Sequence, residues 1–138
     1  MPRQKWQIRS TLAEVAAAAA AAEAFCTKVG ADKSQSLRIG LALDELASNA
    51  LMHGAVKEGA PIITAEVWDD EDTLHLCIDA EGPRFDPRNQ PDNSGDDFSI
   101  GGRGLTLVFA FADSLSYKRD GQRNITNFSV LKHGSDDE

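Results

Sequence analysis

Apolar residues recur along this chain with two periods, and the changes between them mark out its elements. "KWQIRS" alternates and predicts a short first strand. "TLAEVAAAAAAAEAFCTKVG" opens with a Thr11-x-x-Glu14 capping box and closes at Gly30, which predicts a helix. Its alanine run suits helix formation and close packing against a sheet. Ile39, Leu43, Leu46 and Ala50 then repeat at helical spacing, between an Asp32-x-x-Gln35 cap and a stop at Gly54.

Two alternating runs, "PIITAEVW" and "TLHLCIDA", flank the acidic "DDED", read as a solvated turn, and predict a hairpin. From Glu81 to Gly102 the periodicity gives way to Gly, Pro, Asp and Asn, and a loop of that length in a small domain is usually functional. "GLTLVFAFA" predicts an apolar helix entered from a glycine-rich turn. "SLSYKRD" and "RNITNFSVLK" predict a second hairpin around "GQ". The order predicts an α+β two-layer sandwich: a mixed, mostly antiparallel sheet with helices on one face. Residues 1–132 are read as one domain, and 133–138 as a disordered acidic tail that leaves His133 at a frayed end.

Composition narrows the function. The chain has 138 residues and a formal net charge of −8. With no basic run or face, it is expected not to bind nucleic acid directly. A nucleotide remains possible, since a few backbone donors can hold one. Cys26 and Cys77 lack neighbours at metal-ligand spacing and are read as thiols of a reducing cytoplasm. No run reaches membrane-spanning length, so a cytoplasmic protein with no membrane partner is expected. His75 is read as an exposed residue alternating outward, and Trp6 and Trp68 as packing or dimer contacts.

Three fragments carry candidate chemistry. In "LALDELASNALMHG", Glu45 and Asn49 lie one helical turn apart, with about 5–6 Å between Cβ atoms at that spacing. A carboxylate can act as a base, and an amide oxygen can ligate a hard cation such as Mg²⁺. His53 continues the same face. Gly101-Gly102-Arg103-Gly104 enters the helix at Leu105, and helix starts favour phosphate. "IDAEGPRFDP" is a strand end turning sharply at Gly82-Pro83.

Taken together, these fragments resemble the histidine-kinase-like, or GHKL, ATPase domain, and within it the anti-sigma-factor serine/threonine-protein kinases. "ELASNALMH" is similar to the family's N box, "GGRGLTLV" to its second glycine box, and "YKRDGQRNITNFSV" to its closing hairpin. The resemblance implies the GHKL fold and binding of ATP with Mg²⁺. Asn49 would hold the Mg²⁺ that bridges the phosphates, and Glu45 would orient or deprotonate an attacking serine hydroxyl. His53 would extend the site, and Gly102, Arg103, Gly104 and Leu105 would cradle phosphate. Arg88 to Ile100 would form a lid, and Thr126 would join the adenine pocket. The implied partners are an anti-anti-sigma protein with a STAS domain, a sigma factor and a second copy of the chain.

The sequence departs from this pattern at the first glycine box, which usually reads Asp-x-Gly. Aligned on Gly82, that position is Ala80, and Asp79 stands one residue early; Arg84 replaces a later glycine. Strand alternation puts Ala80 with Leu74, Leu76 and Ile78 on the core side and Asp79 on the other, unless a bulge swings it inward. Losing the acceptor for the adenine amino group costs about 1–3 kcal/mol and weakens rejection of other bases. Two functions are expected from this: a serine kinase that sequesters a sigma factor, or a partner-switching module that uses nucleotide weakly or not at all.

Overall fold

The computed structural model describes residues 3–9, 11–53, 63–89, 108 and 110–134, with His53 and Asn89 described by their backbone alone. A first strand, β1 (Arg3–Ile8), leads into α1 (Leu12–Lys28) and α2 (Lys33–His53). The hairpin β2 (Ile63–Asp70) and β3 (Thr73–Glu81) follows. After a short 3-10 turn at Pro87–Asn89 and the helical residues Val108, Ala110 and Phe111, the chain closes with β4 (Ser114–Asp120) and β5 (Arg123–Leu131).

The strands form one sheet in the order β1-β2-β3-β5-β4. Every described pairing is antiparallel, so the parallel contact expected of a mixed sheet is not among them. The topology supplies the reason. β3 and β4 run in the same direction, as a strand–helix–strand crossover requires, but β5 folds back between them and pairs with both.

Both helices cover one face. The inward residues of β3 and β5 (Leu74, Leu76, Ile78, Ala80; Asn124, Thr126, Phe128, Val130) are buried, while their neighbours on the other face are not. Val108 joins this core, and Phe111 meets Phe128 edge-on at 6.2 Å between centroids. On the outer face Trp68 stacks on His75, whose Nε2 lies 2.8 Å from Asp70, and Arg3 covers the indole. Among the described residues no helix is long and apolar enough to cross a membrane.

The capping box opens α1 as expected: Thr11 Oγ1 accepts from Glu14 N–H, and the Glu14 carboxylate accepts from Thr11 N–H, each at 3.1 Å. Ala18, Ala19 and Ala22 are buried, whereas Ala16, Ala17, Ala20 and Ala21 are exposed. The small buried residues let α2 approach closely. A Cβ on Gly40 would lie 3.2 Å from the Ala19 carbonyl oxygen, so only glycine fits there without displacement. Overpacking this seam with Ala22→Leu is expected to cost about 1–3 kcal/mol, read as a lower urea midpoint. Ala20→Leu on the exposed face should change stability by less than about 0.5 kcal/mol.

The start of α2 departs from the expected cap. The Asp32 carboxylate turns away from the helix to the His133 ring (3.0 Å) and the Gly134 N–H (2.9 Å), and these bonds hold its pKa below the usual carboxylate value. Gln35 donates to the Leu131 carbonyl at 2.9 Å. Both cap residues therefore tie the end of β5 to the helix layer. The acidic turn is also engaged rather than solvated throughout, because Asp69 pairs with Lys132 at 2.7 Å.

Candidate functional site

Helix α2 carries two polar pairs one turn long, side by side. Asp44 and Ser48 form the outer one, bonded at 3.2 Å toward solvent. Glu45 and Asn49, rotated about 100° further round the helix, form the inner one. Asn49 is 4% exposed. Its Nδ2 donates both to the Glu45 carboxylate (2.6 Å) and to the Glu45 carbonyl (2.7 Å). Two oxygens at one end of the amide fix its orientation, because only the NH₂ end can donate. Among the described residues Asn49 Oδ1 accepts no hydrogen bond. The carboxyl of Glu45 has a raised pKa: burial disfavours its charge most, the Asn49 hydrogen bond opposes this, and Asp44 adds to it.

Beside this turn lies a cleft of about 380 Å³ that opens to solvent. Leu46 and Ala50 of α2 form one wall, Ile78 and Ala80 of β3 the floor with Asn124 and Thr126 of β5, and Phe85 and Pro87 the rim. Ala80 faces the cleft side at 5% exposure, opposite Ile63 on one neighbour and Asn124 on the other. The register runs through Asp79 and Ala80 without a break, so no bulge turns Asp79 inward. Asp79 stands on the outer face in an ion pair with Arg123.

After β3 the backbone turns at Gly82 with φ of 145°, a conformation that favours glycine. Asn124 anchors the segment that follows. Its Oδ1 accepts from Phe85 N–H (3.0 Å), the Tyr117 hydroxyl (2.5 Å) and Arg119 Nη1 (3.1 Å), and its Nδ2 donates to the Pro83 carbonyl (2.9 Å). Arg119 also donates to the Gly82 carbonyl at 2.6 Å, and Arg84 and Arg88 both lie over the Tyr117 ring. Asp86 is buried and gripped by Arg88, whose hydrogen bonds keep the carboxyl below its usual pKa.

A buried amide beside a half-buried carboxylate thus stands on the helix that walls an apolar cleft over an antiparallel sheet. Residues 8–130 match the family model described as the histidine kinase-like ATPase domain. The chain belongs to that family.

Solved structures share the fold of this ATPase domain. The RsbU and RsbW domains of Rv1364c from Mycobacterium tuberculosis align with a TM-score of 0.70 at 15% identity, covering 99% of this chain and 35% of that one. The chain thus spans about a third of that longer protein. The histidine kinase domain of a blue-light activated histidine kinase from Erythrobacter litoralis aligns with a TM-score of 0.57 at 17% identity, over 86% of this chain and 59% of that one. The catalytic domain of histidine kinase ThkA gives 0.55 at 15% identity, over 98% of this chain and all of that one. At these identities the likeness is one of fold. A search of curated proteins finds no matching sequence.

Within the ATPase domain, Ala80 and Thr126 line the cleft and Gly82 stands at the turn after β3, while Glu45 and Asn49 lie on α2 next in sequence to its lining residues Leu46 and Ala50. The structure does not bring Asp79 to the cleft. The His53 side chain and Gly101, Gly102, Arg103, Gly104 and Leu105 lie outside the described residues, as does most of the expected lid. The sequence reading missed Asn124, Phe85 and Pro87. Asn124 had a signal, since it shares the inward parity of Thr126, Phe128 and Val130. The cysteines stay free, and burial raises Cys26 to about 12 and Cys77 to about 11.

Proposed function

We propose that this ATPase domain binds ATP with Mg²⁺ and is a protein serine kinase of the anti-sigma type. One observation carries the reading: the Asn49 carboxamide is locked by Glu45 with its oxygen left unbonded beside the cleft. Mg²⁺ suits that oxygen, being a hard cation that commonly takes few protein ligands and completes its shell with phosphates and water.

In the proposed reaction Glu45 accepts the proton of a serine hydroxyl as its oxygen bonds the γ-phosphorus and the bond to the β-phosphate oxygen breaks, releasing ADP. Asn49 would hold the cation, which would supply neutralisation of phosphate charge. Gly102, Arg103, Gly104 and Leu105 cradle phosphate, His53 extends the face, and Gly82 and Thr126 shape the base pocket. Phosphoryl transfer needs mainly positioning and charge neutralisation, which such parts supply. The likeness to an RsbW domain supports an anti-anti-sigma STAS-domain protein as phosphate acceptor, with a sigma factor as the sequestered partner and a homodimer as the working form. Residues 1–132 would act as one unit in the cytoplasm, with 133–138 as its tail. Ala80 favours a second reading, a partner-switching module with weakened nucleotide use.

Calorimetric titration with Mg-ATP tests the first reading. Micromolar binding is expected, weakened at least about tenfold in Asn49→Ala, since a lost ligand to a charged group costs about 1.5–3 kcal/mol. No detectable binding to the wild-type chain would remove the kinase.

A further inference from the structure

The cleft beside Asn49 is apolar on most of its surface. Leu46, Ala50, Ile78, Ala80, Phe85 and Pro87 offer a base only area, and area does not distinguish one purine from another. Selectivity at the edge of a base must therefore come from the polar side chains that reach the cleft, and these number few.

Asn124 is spent on its own structure. Three donors occupy its Oδ1 and the Pro83 carbonyl takes its Nδ2, so it has no acceptor to offer and at most one N–H. Thr126 is different. It is 5% exposed, lines the cleft, and its hydroxyl has no hydrogen-bond partner among the described residues. A hydroxyl turns to suit its partner, accepting from an amino group or donating to a carbonyl.

Among the described residues of β3 and the turn after it, no carboxylate is free to join them. Asp79 is fixed on the outer face by Arg123 and by an unbroken ladder on both sides. Glu81 borders the cleft, but its side chain has the parity of Asp79, opposite Arg123. Asp86 is held by Arg88 at both oxygens. A carboxylate accepts from a 6-amino group and repels a 6-oxo group; a hydroxyl, which can accept or donate, tolerates either.

We propose that this site binds 6-oxo and 6-amino purine nucleoside triphosphates with nearly equal affinity, and that Ala80 is the residue that sets this breadth. The proposal rests on the nucleotide-binding reading above and adds to it the class of nucleotide. It makes the substitution at Ala80 a change of specificity, with the phosphate end of the site untouched.

The test is calorimetric titration of the full chain with Mg-ATP and with Mg-ITP, which carries a 6-oxo group and no 2-amino group. Dissociation constants within about threefold of each other are expected, the absence of a discriminating hydrogen bond leaving less than the tenfold that 1.4 kcal/mol represents. Ala80→Asp should raise the preference for ATP over ITP about tenfold to hundredfold, by adding a charged acceptor. Thr126→Val should weaken both nucleotides by a similar factor. A wild-type preference for ATP of about tenfold or more, or a Thr126→Val loss confined to ATP, overturns the proposal and leaves nucleotide binding standing. Failure of the wild type to bind either triphosphate removes the nucleotide reading itself, and this proposal with it. The wild-type ratio decides the matter independently of how well Ala80→Asp folds.

Discussion

Replacing Glu45 with glutamine is expected to lower phosphate transfer about a hundredfold to ten-thousandfold, the usual contribution of a positioned general base. Affinity for Mg-ATP should stay within about threefold, because glutamine keeps an oxygen that can accept from Asn49 Nδ2 and so keeps the amide in its orientation. Stability should move the other way from activity. Burial raises the Glu45 pKa above its unfolded value, so protonation favours the folded state. That contribution is complete at low pH and is lost as pH rises through the raised pKa. Above the raised pKa the fold therefore carries an ionised group it disfavours, and there the neutral glutamine should melt at the same temperature as wild type or higher. Catalysis needs the ionised form, so the wild-type rate should fall as pH drops through the same raised pKa, and the variant should lack that limb. Initial rates across pH, with a thermal melt of each protein, check both halves. Transfer by the variant at close to the wild-type rate would show that Glu45 is not the base.

The sequence made the elements legible because their signals are local. A capping box, a helical repeat of apolar residues and two alternating hairpins are each written within a few turns of chain, and the structure has α1, α2, β2–β3 and β4–β5 at those places. Strand parity even assigned Asp79 and Ala80 to opposite faces, which the ladder bears out. Parity within α2 was less plain. Asp44, Glu45, Ser48 and Asn49 form two parallel pairs, and only packing shows that one is buried and the other solvated. Asn124 was hidden for another reason. Its partners are Pro83, Phe85, Tyr117 and Arg119, and nothing in the local pattern of β5 says that a distant turn needs an anchor. The same holds for Asp32 and Gln35, read as a helix cap and found fastening the end of the last strand. Long-range polar contacts are set by which elements meet, and a linear pattern does not encode that directly.

The largest expected loss of stability follows from such a contact. Lys132→Met should destabilise the fold by about 3–5 kcal/mol, since it strands a carboxylate that water scarcely reaches. Lys132 Nζ lies 2.7 Å from Asp69 Oδ2, with the two side chains 14% and 13% exposed. Asp69 Oδ1 is buried and has no hydrogen-bond partner, so the lysine is the main compensation for that charge. Methionine fills the space of the lysine stem and leaves the charge alone. The backbone of residue 132 should hold its place, because its N–H donates to the Asp72 carbonyl and its own carbonyl accepts from Asp32 N–H, both at 2.8 Å. Removing both charges with Asp69→Leu and Lys132→Met should recover most of the loss, as buried ion pairs generally tolerate apolar replacement. Urea midpoints of wild type, both single variants and the double variant complete a cycle. Additive single effects would mean that the two charges do not compensate each other. Nucleotide affinity of the folded protein should not change in any of them. Asp32 and Asn49 are separated along α2 by 17 residues, or about 25 Å of helix. The pair thus secures the end of the domain farthest from the site, and a simultaneous loss of binding would show that the two ends are coupled through α2.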